Sequence, residues 1–247
     1  MGALDIVAVP AFADNYLWLI HDEDSGETAV VDPGDPAPVL AEAERRGWRI
    51  TKILNTHWHP DHTGGNLAIK QATGAEIWGP AGENGRVPGL DHPLAEGDRI
   101  SIGGHSAEVW EVPGHTLGHI AYIFADDEIA FVGDTLFAMG CGRLFEGTPA
   151  QMHESLNVKL GALPDPTRVF FGHEYTAKNL EFAAHVEPGN AAVRDKAKRV
   201  AELRARGEFT TPSNLADERR TNPFMRVTSP EIVERYAAQQ NTGAAPS

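Results

Sequence analysis

The segment THWHPDH, residues 56–62, places four side chains that can bind a metal within six residues. They are His57, His59, Asp61 and His62. Four ionisable side chains are costly to bring together without a cation, so we interpret the segment as a metal-binding loop. The apolar run ILN precedes it, which predicts that the loop leaves the end of a strand, where rigid scaffolds often carry functional side chains.

Three further candidate ligands follow apolar segments in the same way. His115 lies in VPGH, Asp134 follows IAFVG, and His173 follows RVFFG. Imidazoles and carboxylates without thiolates suit zinc, iron or manganese, and seven such ligands exceed the number that one tetrahedral ion needs. The sequence therefore predicts two adjacent divalent ions per chain, and we expect zinc, with iron or manganese as the alternatives.

Short β-rich segments with Gly and Pro turns, interrupted by helical segments, must position these ligands over residues 1–175. Strands are predicted at residues 6–9, 16–21, 28–32, 50–55, 107–112, 121–124, 129–133 and 168–172. Helices are predicted at 36–46, 65–72 and 149–160, and again at 177–186 and 191–207. We therefore predict a domain of stacked sheets flanked by helices, residues 1–175, and a helical subdomain, residues 176–247, that ends in a loose tail at 243–247.

The formal charge of the chain, −14 at pH 7, is unevenly distributed. Residues 1–175 carry 10 Lys and Arg against 26 Asp and Glu, whereas residues 176–247 carry 11 against 9. An acidic main domain repels nucleic acid, so we expect no nucleic-acid partner. The single cysteine, Cys141, excludes an internal disulfide, and no secretory signal or membrane-spanning run is found. We expect a cytoplasmic monomer with no membrane partner.

Several motifs carry a resemblance to a known family. THWHPDHTGGN, PGHTLGH, GDTLF and GHEYT, in this order, resemble the metallo-β-lactamase superfamily, and GDTLFAMGCGRLFEGT, GHEYTAKNLEFAAHVEPGN and NPFMR resemble glyoxalase II, the hydroxyacylglutathione hydrolases, across about residues 6–226. The resemblance implies an α/β fold, a four-layer αβ/βα sandwich with a C-terminal helical substrate-binding subdomain. It also implies one ion on His57, His59 and His115, a second on Asp61, His62 and His173, and Asp134 as the bridge between them.

The resemblance further implies hydrolysis of a glutathione thioester, S-D-lactoylglutathione, to D-lactate and glutathione. Two cations that share a water lower its pKa toward about 7, so a bridging hydroxide is the expected nucleophile, with Asp61 and Asp134 as the catalytic carboxylates. A thiol has an ordinary pKa of about 8.5, so the thiolate leaves without obligatory protonation. From the residue types alone, the reaction is hydrolysis of an ester, a thioester or an amide.

Substrate contacts are also carried over from the resemblance. Arg143, Phe145 and Tyr175 match positions that contact the glutathione peptide, and Asp32 matches a position that supports the ligands from behind. The family often has Tyr at the position of Phe145, and a basic motif that usually closes the glutathione site is absent before Ser247. We therefore expect weaker and broader thioester selectivity, with four cations as candidate substitutes: Lys178, Arg219, Arg220 and Arg226.

Other functions on the same scaffold stay open at this point. A lactonase or a β-lactamase-like hydrolase would use the same chemistry, although the commonest zinc β-lactamases are expected to carry Cys at the position of Asp134. Persulfide dioxygenase, an oxidoreductase with one iron, resembles the PGHT and GCGR segments but lacks the LFEG continuation. A redox di-iron carrier would be expected to carry Glu in place of His59. A non-enzymatic binding module does not require an open, oxygen-rich site for two ions, so the ligand pattern argues against that class.

Overall fold

The computed structural model describes residues 2–83 and 85–241, and side chains are described as far as residue 238. The predicted tail at 243–247 lies outside the described residues. The predicted α/β architecture is confirmed, since two mixed sheets pack face to face with helices around them. Within the described ranges, no helix is long and apolar enough to cross a membrane.

The first sheet contains six of the described strands, in the order in which the chain forms them. They are β1 (Asp5–Ala11), β2 (Asn15–Asp22), β3 (Glu27–Val31), β4 (Ile50–Leu54), β5 (Glu76–Pro80) and β6 (His92–Leu94). The pairs β1–β2 and β2–β3 are antiparallel, and β3 to β6 run parallel. The carboxyl ends of β3 and β4 therefore meet at one edge of the sheet, and the loops that follow them start side by side.

The second sheet contains six more of the described strands, and one pair of neighbours, β10 and β13, is not consecutive in sequence. They are β7 (Arg99–Ile102), β8 (His105–Glu111), β9 (Ile120–Phe124), β10 (Ile129–Gly133), β13 (Arg168–Phe171) and β14 (Ser213–Asn214). The order is β14-β13-β10-β9-β8-β7, and β10 pairs with β13 in parallel. A small hairpin of β11 (Leu136–Phe137) and β12 (Gly140–Cys141) follows β10.

Strand β2 shows how the layers are held together. Alternate side chains of a strand point to opposite faces, and Trp18 packs against Phe170 of the second sheet with ring centroids 5.0 Å apart. On the other face, Leu19 belongs to a separate buried cluster that also contains Val39 and Ile69. Apolar residues on both faces therefore fix β2 between a sheet and a helical layer.

The helices begin and end at residues with suitable capping chemistry. They are α1 (Pro36–Arg46), α2 (Pro60–Thr63), α3 (Asn66–Thr73), α4 (Pro149–His153), α5 (Thr176–Val186), α6 (Ala191–Ala205), α7 (Leu215–Thr221) and α8 (Pro230–Asn241). In α1, the Asp35 side chain accepts a hydrogen bond from the Ala37 amide, Pro36 occupies the first turn, and Gly47 ends the helix with φ of 73°. These signals explain why the predicted bounds of α1 coincide with the observed ones.

Two parts of the predicted element list need correction. The helix predicted at 149–160 is α-helical only as far as His153, and the chain continues as a wider π-helical turn over Glu154–Lys159. The turn is held from outside, because Ser155 Oγ donates to the Pro113 carbonyl at 2.8 Å and Lys159 Nζ donates to the Glu111 carbonyl at 2.8 Å. Six of the described strands (β5, β6, β7, β11, β12 and β14) and three of the described helices (α2, α7 and α8) were not predicted.

The C-terminal helices are joined to the β11–β12 hairpin through the buried carboxylate of Glu218. One oxygen of Glu218 accepts from Lys196 Nζ at 2.6 Å and from the Ser213 hydroxyl, and the other accepts from the Met139 amide at 2.7 Å. Asn222, one turn later, donates to Glu218 and to two carbonyls of the hairpin. Because buried polar groups are costly when unpaired, this network fixes the hairpin against α7.

Candidate metal centre

All seven predicted ligands converge where strands of the two sheets end. His57 follows β4, Asp134 follows β10 and His173 follows β13. His115 lies in the loop after β8, and α2 carries Asp61 and His62, with His59 at its N-terminus. The residues lie at adjoining ends of packed strands, so a stable core holds side chains that are far apart in sequence.

The first cluster consists of His57, His59 and His115. His59 Nδ1 lies 3.1 Å from His57 Nε2 and 3.1 Å from His115 Nε2. Nitrogen ligands of a tetrahedral zinc ion, each about 2.0–2.1 Å from the metal, lie about 3.3 Å from one another. Burial lowers the pKa of all three imidazoles, which favours the neutral form that binds metals.

The second cluster consists of Asp61, His62 and His173. His62 Nε2 lies 3.2 Å from His173 Nε2, and each of these nitrogens lies 3.4 Å from Asp61 Oδ2. Burial acts to lower the pKa of His173, but Asp134 and Asp61 outweigh it and raise the pKa to about 10. Burial is likewise outweighed at His62, whose pKa is raised well above its usual value by the same carboxylates and Asp32.

Asp134 lies between the two clusters. Its Oδ2 is 3.4 Å from His115 Nε2 in the first cluster and 3.3 Å from His173 Nε2 in the second. Burial acts to raise the pKa of this carboxyl, but His62 and His173 hold it well below its usual range. Asp134 Oδ1 is buried and has no hydrogen-bond partner among the described residues, as expected for an oxygen that has a cation as its partner.

Polar groups behind the clusters orient the imidazoles. Asp32 accepts from the Thr56 amide and from the Thr56 hydroxyl, both at 2.7 Å, and that hydroxyl lies 3.0 Å from His57 Nδ1. Since the hydroxyl donates its hydrogen to Asp32, it accepts from His57 Nδ1, which leaves the Nε2 lone pair toward the first cluster. Asp32 Oδ2 also lies 3.2 Å from His62 Nδ1, without hydrogen-bond geometry. Asp32 thus lies behind both imidazoles, beside Nδ1 of His62 directly and beside Nδ1 of His57 through the Thr56 hydroxyl.

The backbone leaves no room for other side chains beside Asp134. A Cβ at Gly172 would lie 2.4 Å from Asp134 Oδ1 and 2.7 Å from His62 Cε1. Glycine is the residue that lets a backbone approach this closely. The position before His173 therefore keeps the space around the Asp134 carboxylate free.

A cavity of about 770 Å³ opens onto both clusters, and the predicted substrate residues Arg143, Phe145 and Tyr175 line it. Phe145 is 60% exposed, with its ring centroid 5.7 Å from that of His59 and 5.3 Å from that of His115. Tyr175 stacks on His173 at 4.8 Å, and burial raises the pKa of its hydroxyl to about 12, so the hydroxyl is protonated at neutral pH and is available as a donor.

Family comparisons agree with this geometry. Residues 14–173 match the metallo-beta-lactamase superfamily, and residues 174–245 match the family described as hydroxyacylglutathione hydrolase C-terminus. A hydroxyacylglutathione hydrolase of Rhodospirillum rubrum is 53% identical over 246 residues, which cover 100% of this chain and 94% of that protein. The chain belongs to the hydroxyacylglutathione hydrolase family. The resemblance to glyoxalase II is thereby confirmed, while the domain division at 175/176 stays a prediction.

Solved structures give the fold of this hydroxyacylglutathione hydrolase family member independent support. The crystal structure of BLEG-1 B3 metallo-beta-lactamase has a TM-score of 0.65 at 21% identity and covers 90% of this chain and 99% of that one. TTHA1623, solved in a di-iron-bound form, has a TM-score of 0.64 at 25% identity and covers 89% and 99%. The predicted four-layer sandwich of the metallo-β-lactamase type is confirmed.

Three residues in contact with the two clusters were missed by sequence reasoning. Asp14 Oδ1 lies 2.8 Å from His173 Nδ1, and Asn15 Nδ2 donates to Asp61 Oδ2 at 3.0 Å. His119 stacks on His57 at 4.7 Å, and its Nε2 accepts from the Asp134 amide at 3.1 Å. His119 has a signal in the PGHTLGH motif, whereas Asp14 ends the turn between β1 and β2 and Asn15 begins β2, in a segment whose composition is ordinary for a β-hairpin.

The structure distinguishes one of the four candidate substitutes for a basic C-terminal motif from the other three. Three are engaged in ion pairs: Arg219 with Asp165, Arg220 with Asp217, and Arg226 with Glu187. Lys178 differs from them, since it lines the metal cavity and has no ion pair within the described part of the chain.

Proposed function

We propose that this chain hydrolyses S-(2-hydroxyacyl)glutathione thioesters, with S-D-lactoylglutathione giving D-lactate and glutathione, at a centre of two divalent ions. The observation that carries the proposal is the position of Asp134 Oδ2, which lies within 3.4 Å of a nitrogen from each cluster. One carboxylate oxygen facing two separate ligand sets suits a bridge between two ions. The 53% identical relative named hydroxyacylglutathione hydrolase supports the choice of substrate.

The side chains fit two ions of this kind. The first cluster offers three neutral nitrogens, the second offers two nitrogens and a carboxylate, and Asp134 keeps a buried oxygen without a partner among the described residues. We propose zinc, because nitrogen and oxygen donors in near-tetrahedral sets suit it. Iron and manganese are the alternatives, and the similar protein TTHA1623 in its di-iron-bound form supports iron among them.

The bound ions would supply a hydroxide nucleophile at neutral pH and would polarise the thioester carbonyl. The protein contributes orientation. Asp61, whose side chain is 41% exposed to the cavity, is held by Asn15 and can accept a hydrogen bond from the attacking water. The leaving thiolate, whose conjugate thiol has an ordinary pKa of about 8.5, needs no acid from the protein. Arg143 and the Tyr175 hydroxyl would bind the glutathione peptide.

We also propose that the protein acts as a monomer in the cytoplasm on a small molecule. The excess of acidic over basic residues in 1–175, 26 against 10, supports a partner other than nucleic acid. Gel filtration of the purified chain tests the monomeric state, and elution at twice the monomer mass would contradict it.

The function is tested by measuring metal content and thioester hydrolysis on the same purified sample. We expect about two divalent ions per chain and turnover of S-D-lactoylglutathione. Fewer than about two ions together with no thioester hydrolysis would overturn the proposal. Oxygen consumption with glutathione persulfide, in a sample that does not cleave the thioester, would favour the dioxygenase instead, and preferential cleavage of lactones would favour the lactonase.

A further inference from the structure

Most cations of this acidic protein are already paired. The chain has 21 Lys and Arg against 35 Asp and Glu, so a carboxylate is available to almost any surface cation. Among the described residues, six Lys and Arg form no ion pair with a described carboxylate: Arg49, Arg143, Arg168, Lys178, Arg194 and Arg235. Two of the six, Arg143 and Lys178, line the metal cavity.

These two cations belong to different walls of the cavity. Arg143 lies in the loop after β12, where its carbonyl accepts from His115 Nδ1 at 2.8 Å and its guanidinium carbon lies 5.8 Å from the Phe145 ring. Lys178 lies in the first turn of α5, next to Asn179, whose side chain donates to the Ala138 carbonyl at 3.1 Å. Each cation is therefore carried by backbone that is anchored beside the metal site.

The cavity also contains carboxylates that do not neutralise these cations. Asp14, Asp61 and Asp134 line it, but Asp14 is bonded to His173, Asp61 is bonded to Asn15, and Asp134 lies between the histidines of the two clusters. An unpaired ammonium group at such a cavity attracts an anionic ligand and raises its local concentration. Carboxylates from outside the protein are the natural partners of both cations.

We propose that Lys178 is a specificity-determining residue that binds a carboxylate of the glutathione half of the substrate. The inference rests on the proposed function and goes beyond it by assigning a residue to the anionic end of the substrate. Lys178 stands one helical turn after Tyr175, which stacks on His173, and both residues line the metal cavity. Because the contact is remote from the scissile bond and equally present before and during reaction, its loss raises KM and leaves kcat nearly unchanged.

Kinetics on two substrates test the assignment. The variants are Lys178→Ala, Lys178→Glu and Lys178→Arg, and Lys198→Ala is the matched control, because Lys198 is exposed on α6, outside the cavity, and paired with Asp195. The substrates are S-D-lactoylglutathione and an uncharged thioester, S-lactoyl-N-acetylcysteamine. For an exposed charge pair worth up to about 1 kcal/mol, we expect Lys178→Ala to raise KM for the glutathione substrate about threefold to fivefold.

The other variants and conditions distinguish an effect of the Lys178 charge from an effect on the structure. Lys178→Glu should raise KM further, Lys178→Arg should restore it, and the effect should shrink as salt is added because exposed charges are screened. The uncharged thioester and the Lys198→Ala variant should show no change. Equal KM values for Lys178→Ala and the unaltered protein, or equal shifts on both substrates, would overturn the assignment.

Direct binding keeps this inference distinguishable from the proposed function. Calorimetric titration with glutathione alone should give weaker binding to Lys178→Ala than to the unaltered protein, with metal content the same in both. If the unaltered protein cleaves neither thioester, the proposed function fails, and the titration still decides the role of Lys178. Equal dissociation constants for the two proteins would sink that role whatever the kinetics show.

Discussion

The two ligand clusters differ in how they balance charge. The first cluster contains three imidazoles whose pKa values are lowered by burial, so it is neutral. In the second cluster, the pKa of His173 is raised to about 10, and those of Asp61 and Asp134 are lowered although burial opposes this. The first cluster therefore presents free nitrogen lone pairs to a metal ion. In the second cluster, an entering cation replaces the protons on the imidazoles of His62 and His173, which lie among carboxylates.

The clusters also differ in what stands behind them. His115 in the first cluster donates from Nδ1 to a backbone carbonyl, that of Arg143, whereas His173 in the second is bonded to the carboxylate of Asp14. A carboxylate behind an imidazole raises the basicity of the metal-binding nitrogen more than a neutral carbonyl does. Ligand count alone therefore does not describe the centre, because each cluster has its own electrostatic support.

The largest expected effect comes from removing the one carboxylate that the clusters share. Asp134→Asn leaves the buried histidines without their common counter-charge, and breaking a buried charged cluster costs about 3–5 kcal/mol. A cost of that size in the transition state corresponds to about a 10²- to 10⁴-fold loss of kcat/KM. Metal analysis should show that both ions bind more weakly. Retention of two ions with undiminished turnover would contradict the role of Asp134 in both halves.

The next effect should fall on the second cluster alone. Asp14→Asn removes the charge behind His173, and loss of such a partner typically lowers metal affinity about 10- to 100-fold. After dialysis against a weak chelator, we expect one ion to be lost while the first cluster keeps its own. Asp126→Asn, an exposed aspartate in the β9–β10 turn, is the control. Equal loss of metal from both clusters would contradict the role of Asp14 in the second cluster alone.

A smaller effect should fall on the first cluster. Glu146 accepts from Trp58 Nε1 at 3.1 Å and from the Leu117 amide at 3.0 Å, and hydrogen bonds from Arg86 hold the pKa of Glu146 at about 2. It thereby ties together the loops that carry His59 and His115. Glu146→Gln should weaken ion retention by the first cluster about fivefold, as expected for about 1 kcal/mol lost from a charged hydrogen bond.

The control for Glu146 is a glutamate elsewhere in the fold that also accepts hydrogen bonds from a Trp and an Arg side chain. Glu108 accepts from Trp110 Nε1 at 3.0 Å and from Arg99 at 3.0 Å, on β8 away from the cavity. Glu108→Gln should leave metal retention unchanged in the same competition assay with a chelator. If the two variants lose metal alike, the effect is one of general stability and not of the first cluster.

The smallest effect concerns the aromatic ring beside each cluster. Tyr175 carries a hydroxyl next to the second cluster, whereas Phe145, beside the first, carries none. Phe145→Tyr would add a hydroxyl in the cavity near Arg143, and one exposed hydrogen bond worth about 0.5 kcal/mol lowers KM for the glutathione thioester about twofold. Steady-state kinetics measures this, and an unchanged or higher KM would mean that the missing hydroxyl is not a glutathione contact.

The sequence predicts the seven cluster residues because their signals are local. Four of them fall within the segment 56–62. Of the others, Asp134 and His173 follow apolar runs, and His115 lies in the segment VPGH. The support behind them is not local, since the contact between Asp14 and His173 spans 159 positions and depends on how the two sheets pack. The role of Glu146 is hidden for the same reason, because its partners come from three separate loops.

The fold was predictable to a similar depth. Strands β2 and β10 were found because they contain continuous apolar runs, which is typical of strands buried on both faces. Strands β5 and β6 were missed because both contain proline and β6 has only three residues, so that their pairing depends on the parallel neighbours already in place. The π-helical turn after α4 likewise depends on partners outside its own segment.

The Glu218 carboxylate has a consequence for recombining this protein with its relatives. The two family matches meet at residues 173 and 174, which invites chimaeras joined there. Glu218 lies on the C-terminal side of that junction, and its partner amide, that of Met139, lies on the N-terminal side. A foreign C-terminal segment without this carboxylate would leave the Met139 amide unsatisfied in the interior, beside the turn that leads to Arg143. The exchangeable unit is therefore the C-terminal segment together with residues 136–143.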